Sequence, residues 1–270
     1  MPAAEAAGER TALARELVAA VREAGDLALR YFGSAPKSWT KDATSLVSEA
    51  DLAVDALLKE RLAAIGPGYG WLSEESEDDK ARLSAPRVWI VDPIDGTRAF
   101  LAGRSDWSIS AALAEAGRPI VAVLFAPAER EMLVAAAGAG ATCNARPIVS
   151  QDGQTLANAR VSGPRGFLDS LARVDPALVV MPRVYSVALR FARVAQGRLD
   201  VAFAAGRGHD WDLAAADLLV HEAHGALTTL AGESLIYNRP EPTHDALVAA
   251  GRSRHRILID RLRARQAEFR

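Results

Sequence analysis

Apolar residues recur at helical spacing over roughly residues 9–32. Leu13, Leu17, Val21, Ala24, Leu27, Ala28 and Tyr31 share one face, and Gly33 and Pro36 end the run. The polar stretch 37–48, with scattered β-formers, predicts a hairpin. A second amphipathic helix is predicted from Ala50 to Ile65, closed by Gly66-Pro67-Gly68. Short apolar runs at 70–73, 87–92, 107–114, 120–126 and 131–136 read as strands, with Glu115-Ala116-Gly117-Arg118-Pro119 as a hairpin turn.

From about residue 150 the pattern changes. Strands at 160–162, 178–181, 199–204 and 247–249 alternate with helices at 166–174, 185–196 and 212–224, and a last helix runs over about 253–268. Strand–helix alternation predicts a layered α/β half, whereas two long helices followed by a meander predict an α+β half. The Gly-, Ala-, Asn- and Gln-containing stretch 138–155 is the expected boundary, dividing 1–150 from 151–270. There is no internal repeat and no low-complexity linker.

The length, 270 residues, suits one large domain or two tightly joined halves. Half the residues are hydrophobic, enough for a substantial core. A net charge of −2 argues neither for a nucleic-acid polymer nor for an anionic membrane surface, and neither is expected as a partner. The single cysteine, Cys143, excludes an internal disulfide and a cysteine-based zinc site, and fits a reducing compartment. It lies in a loop of small residues, where an incidental thiol is the simpler reading than a nucleophile. The start, M-P-A-A-E-A-A-G-E-R, has acidic residues and no apolar core, so no signal peptide is expected. No apolar run reaches the roughly 20 residues that span a bilayer. A cytoplasmic protein is the resulting expectation.

Four stretches could carry chemistry. V-D-P-I-D-G-T, residues 91–97, follows a strand-like run. Pro93 lacks an N–H, so the chain is expected to turn there. Such a turn can aim Asp92, Asp95 and the Ile94 carbonyl at one point, and hard cations such as Mg²⁺ take oxygen ligands of that kind. Gly96 and Thr97 then precede a short helix, Arg98-Ala99-Phe100-Leu101, whose start suits a phosphate. The plain alternative is an Asp/Pro/Gly turn with an N-cap. W-L-S-E-E-S, 71–76, is a solvated loop or the source of a further carboxylate. In D-W-D-L-A-A-A-D, 210–217, Asp212 is an N-cap or a ligand. In S-L-V-S-E-A-D-L-A-V-D, 45–55, Ser48 or Asp51 caps the second helix, and Asp55 lies one turn on. His221 and His224 lack a third zinc ligand, and the basic stretch 252–265 reads as a solvated helix face.

Together, in this order, Ser-Glu-Ala-Asp (48–51), Glu-Glu-Ser (74–76), Asp-Pro-Ile-Asp-Gly-Thr (92–97) and Trp-Asp-Leu-Ala-Ala (211–215) resemble the inositol monophosphatase-like superfamily of metal-dependent, lithium-sensitive phosphomonoesterases. The resemblance implies a five-layered α-β-α-β-α sandwich, as in the fructose-1,6-bisphosphatase type. It implies two to three Mg²⁺ ions on Glu74, Asp92, the Ile94 carbonyl, Asp95 and Asp212. It implies Asp51 and Thr97 as the pair activating the attacking water, Glu75 as a helper through a bridging water, and Gly96 and Thr97 as the phosphate cradle. Attack is expected in line with no phosphoenzyme, and a homodimer is expected. Converging carboxylates would repel and raise one another's pKa without cations, which fits that reading.

Two departures bear on substrate. Ser73 stands where the family usually has Gly. Ala205 stands where inositol-specific members usually carry Glu, and Gly206-Arg207-Gly208-His209 is basic instead. Arg98-Ala99-Phe100 is similar to the equivalent run in the bisphosphate nucleotidase branch and to that of the histidinol-phosphate phosphatases. A Glu-less pocket with Arg98, Arg207 and His209 suits a second negative group. The expected substrate is therefore 3′-phosphoadenosine 5′-phosphate, hydrolysed by a 3′(2′),5′-bisphosphate nucleotidase. The alternatives are inositol 1-phosphate, histidinol phosphate, or a non-catalytic metal- or phosphate-binding regulator.

Overall fold

The protein is described by a computed structural model, which describes residues 3–41, 46–174 and 177–263. The first long helix, α1 (Ala3–Tyr31), starts earlier than its apolar spacing predicts. The predicted hairpin is present as β1 (Ser38–Thr40) paired antiparallel with β2 (Leu46–Ser48). Helix α2 (Glu49–Ile65) follows at once. Ser48 caps it and Asp51 closes a capping box, so both residues weighed as caps take part.

Strands β3 (Gly70–Ser73), β4 (Arg87–Asp95), β5 (Ser108–Glu115), β6 (Arg118–Ala126), β7 (Glu131–Ala136), β8 (Ala141–Cys143) and β9 (Arg146–Pro147) form one seven-stranded sheet in chain order, with α3 (Thr97–Leu101) between β4 and β5. Only β3 and β4 are parallel there. The sheet is covered on both faces, and its alternation says how. Trp89, Val91, Ala111, Leu113, Val121 and Val123 pack against α1 and α2, while Val88, Ile90, Ala112, Ala114, Ala122 and Leu124 face the other way. Gly25 marks a close approach of α1 to the sheet, since a Cβ there would lie 2.3 Å from the Phe125 ring.

The second half supplies β10 (Arg160–Ser162), α4 (Arg165–Val174), β11 (Val179–Val180), α5 (Val187–Ala195), β12 (Val201–Ala204), β13 (Gly208–His209), α6 (Asp210–Glu222), β14 (Gly225–Thr229), β15 (Thr243–His244), β16 (Leu247–Gly251) and α7 (Arg252–Arg263). Its five-stranded sheet has the order β11-β10-β12-β16-β14. Ala202, Ala204, Leu247 and Ala249 join the core with α5 and α6, whereas Val201, Phe203, Val248 and Ala250 pack with Leu168, Leu171, Leu258 and Leu262 of α4 and α7. The layers are thus α1/α2, seven strands, α5/α6, five strands and α4/α7, the five-layered sandwich expected.

Three expectations are corrected. The chain does not turn away at Pro93. Strand β4 bulges there, with Asp92 opposite Ser110 and Asp95 opposite Ser108, because the proline removes one ladder donor without ending the strand. Asp212 is not an N-cap, since α6 begins at Asp210 with His209 before it. Strand β14 is absent from the sequence-based assignment, which took Gly225 only as a helix stop. The predicted last helix is present to Arg263, and its remainder lies outside the described residues.

Candidate metal centre

The bulge in β4 sets the site. Asp92 and Asp95 are buried on either side of Pro93-Ile94, and Asp212 comes in from the first turn of α6. One carboxylate oxygen from each of these three residues can be chosen so that all lie within 4.8 Å of one another. The donors around them fix their aim. Asp95 accepts from the Ser186 hydroxyl at 2.5 Å and from the backbone N–H groups of Val187 (3.1 Å) and Ala188 (2.7 Å), at the start of α5. Asp212 accepts the His209 N–H at 2.7 Å. Asp92 accepts the Ile94 N–H at 3.0 Å through one oxygen, while its other oxygen is buried with no protein partner.

Glu74 lies just beyond β3, and its N–H donates to the Val91 carbonyl at 3.3 Å. Burial, then the charges of Asp212 and Glu75, push its carboxyl up to about 8. Burial followed by Asp212 pushes Asp95 up to about 7, and burial pushes Asp212 up to about 6. Asp92 is raised by burial and by Glu74, Asp95 and Asp212. Four carboxylates raised by burial, three of them also by a neighbour in the group, and one with an orphaned buried oxygen, form a hard, all-oxygen donor set short of positive charge. Among the described residues Asp92, Asp95 and Asp212 are the one grouping with the spacing of a metal site; Glu74, His221 and His224 are not part of it.

Beside the cluster, the Thr97 hydroxyl lies 3.1 Å from Asp51 Oδ1 and 3.1 Å from the Ile94 carbonyl. Asp51 Oδ2 takes the N–H and hydroxyl of Ser48 at 2.8 and 2.5 Å, yet burial raises its pKa. Gly96 adopts a left-handed φ of 91°, which turns the chain from β4 into α3. Phe100 then holds α3 down, edge-on to Trp107 at 4.8 Å. Glu75 pairs with Lys41, whose ammonium also reaches the Glu74 carbonyl at 2.8 Å.

The substrate-side residues divide. The His209 ring stacks flat on Trp211, 4.4 Å between centroids and 5° between planes, with Nδ1 3.9 Å from Asp212. Arg98 is exposed on α3. Arg207 lies instead on a cavity of about 520 Å³ that none of the four cluster carboxylates lines; Glu233, Arg239, Glu241 and Asp245 share it. The cavity beside Arg207 is therefore of mixed charge, with acidic side chains facing the basic stretch Gly206–His209. Sequence reasoning did not single out Ser186, Lys41 or the buried pair of Asp210 and His244 (2.7 Å), which braces the start of α6. Ser186 carried a usable signal, a serine just before an apolar helical run. Lys41 carried none.

Comparison with known proteins agrees with this geometry. The chain is 41% identical over 77% of its length, and 82% of the relative's, to a Streptomyces griseus protein named glucose-1-phosphate thymidylyltransferase. It is 36% identical to an inositol-1-monophosphatase of Rhizobium meliloti (83% of this chain, 87% of the relative). It is 35% identical to a histidinol-phosphatase of Mycobacterium tuberculosis (72% and 77%). The crystal structure of the extragenic suppressor protein SuhB of Bartonella henselae superposes with a TM-score of 0.82 at 27% identity, covering 93% of this chain and 98% of that one. The family model described as the inositol monophosphatase family matches residues 9–267, and the chain belongs to that family of phosphoric monoester hydrolases.

Proposed function

We propose that the protein is a Mg²⁺-dependent phosphomonoesterase of a small phosphorylated molecule, with Glu74, Asp92, the Ile94 carbonyl, Asp95 and Asp212 as metal ligands. The observation that carries this is the convergence of Asp92, Asp95 and Asp212 beside the Asp51–Thr97 pair. Bound Mg²⁺ ions, two to three in number, would neutralise the carboxylates and supply Lewis acidity toward a phosphate ester. The chain's own groups do the rest. A hydroxyl that donates to a carboxylate keeps lone pairs for a water proton, so Thr97 and Asp51 orient the attacking water and take its proton. Burial makes Asp51 a better base for that task. Gly96 and Thr97 receive the phosphate, and Glu75 acts through a bridging water. The Cys143 thiol is pushed up by burial, which suits a reaction without a covalent nucleophile. A thymidylyltransferase, the name of the Streptomyces relative, moves a nucleotidyl group; the near full-length family match supports ester hydrolysis instead. A homodimer in the cytoplasm is part of the same reading.

For the substrate, the half-exposed His209–Trp211 ledge beside Asp212 supports a molecule with a flat ring. 3′-Phosphoadenosine 5′-phosphate is the first reading, with Arg98 and Arg207 as the proposed contacts of its second phosphate. Histidinol phosphate is the second, favoured by Glu233, Glu241 and Asp245 near an ammonium-bearing substrate and by the 35% identical relative. Comparing kcat/KM on these two and on inositol 1-phosphate, with and without EDTA, tests both levels. Metal-independent turnover, or none on any ester, would sink the phosphatase mechanism; highest efficiency on inositol 1-phosphate would sink the ring-stacking reading alone.

A further inference from the structure

One turn after Asp51 on α2, Asp55 is buried at 6% exposure and points at the segment that carries Glu74 and Glu75. Its Oδ1 accepts the Ser73 hydroxyl at 2.5 Å, and its Oδ2 accepts the Ser76 hydroxyl at 2.6 Å. The two serines flank the two glutamates, so one carboxylate fastens both ends of the turn. The Ser73 oxygen also receives the Glu75 N–H at 3.4 Å, and Ser76 receives the Trp71 indole N–H at 3.1 Å. Helix α2 thus fixes Asp51 directly and the Glu74–Glu75 turn through Asp55. We infer that Asp55, working through Ser73 and Ser76, is a positioning residue that sets how tightly the Glu74 side of the centre holds its cation. The inference rests on the reading of Glu74 as a Mg²⁺ ligand.

The physical reason is that outer partners of metal ligands hold them in a productive arrangement, and their loss typically weakens metal binding by about 10–100-fold. A buried carboxylate between two hydroxyls is a suitable outer partner, because both of its oxygens are satisfied only when the turn is in place.

The test is Mg²⁺ binding by calorimetry on the full-length protein, with thermal melts run alongside. Asp55→Ala should weaken Mg²⁺ binding by about tenfold, at the lower end of that range. Ser73→Ala and Ser76→Ala should each weaken it less. Asp55→Asn should recover most of the affinity, since a serine hydroxyl can rotate to accept from the amide. A purely structural role would lower the melting temperature and leave the Mg²⁺ dissociation constant unchanged. That outcome in the two serine variants, which keep the carboxylate and so provide a readout even if Asp55→Ala does not fold, overturns the inference. Failure of the wild-type protein to bind Mg²⁺ overturns the reading of the centre itself, and the inference with it.

Discussion

The hydroxyl of Ser186 donates to Asp95 Oδ2 at 2.5 Å across 91 residues of sequence. Ser186 Oγ itself accepts the Leu189 N–H at 2.9 Å and so caps α5. It also lies 3.0 Å from the Ser108 hydroxyl, opposite the β4 bulge. One side chain therefore joins the start of a helix in the second half of the chain to a proposed ligand in the first. Ser186→Ala should cost about 1 kcal/mol through the lost cap. It should also weaken Mg²⁺ binding by about 10-fold, because Asp95 loses one of three donors. Melting curves and a Mg²⁺ titration separate the two effects. Unchanged metal affinity would mean that the backbone donors of Val187 and Ala188 suffice to aim Asp95.

Asp95→Asn should leave the protein folded and nearly inactive. The amide keeps an acceptor for part of the α5 donor set but cannot supply an anionic ligand. Turnover of a generic phosphate ester at saturating Mg²⁺ is expected to fall by more than about 100-fold, beyond the effect of a lost outer partner. Because the substitution also removes a buried carboxyl from a repelling group, the melting temperature in EDTA should not fall. Retained metal-dependent turnover would remove Asp95 from the centre.

Much of this was legible in the sequence. The two long helices, the main strands and the four acidic stretches follow from apolar spacing, turn residues and motif order. What did not show was how distant segments meet. Pro93 argues locally for a turn, but the ladder to β5 resumes at Asp95, and pairing with a neighbour outweighs a single missing donor. Asp212 has the local look of a cap, yet the Asp210–His244 contact starts α6 two residues earlier. Arg207 and His209 are near neighbours in sequence, but the left-handed φ of 71° at Arg207 sends the two toward different surroundings. Composition could state the charge of that segment, not which acidic residues of 233–245 would face it.

Removing the cation should make stability depend on pH. In the metal-free protein Glu74, Asp95 and Asp212 sit at about 8, 7 and 6. In the unfolded chain such carboxyls titrate near 4. The folded state therefore holds protons that the unfolded state releases, so these groups' contribution is full below about pH 4 and is lost as pH rises toward about 8. Bound Mg²⁺ should cancel the loss by balancing the charges. The rise in melting temperature from EDTA to saturating Mg²⁺ should accordingly be larger at pH 8.5 than at pH 5.5. An equal rise at both would show that these carboxyls are not what the metal stabilises.

Arg193 ties the helix that aims Asp95 to the first sheet. Its guanidinium is buried on α5 and pairs with Glu129 and Glu131 at the β6–β7 turn, with Gln196 Oε1 at 2.6 Å. Burial alone would raise Glu131, but Arg193, Gln196 and Arg198 outweigh it and hold the carboxyl below its usual range. Arg193→Met leaves that carboxylate short of its main partner. The expected cost is about 2–4 kcal/mol, at or below the range for breaking a fully buried pair, because Glu129 and Glu131 keep some contact with water. Adding Glu131→Leu should recover part of it, since an apolar pair of similar volume avoids the stranded charge. Urea midpoints for the two single variants and the double give the coupling directly. If α5 also serves as the arm that positions Ser186, the Arg193→Met protein should bind Mg²⁺ more weakly even at a temperature where it is fully folded. Loss of stability with wild-type Mg²⁺ affinity would confine Arg193 to holding the layers together.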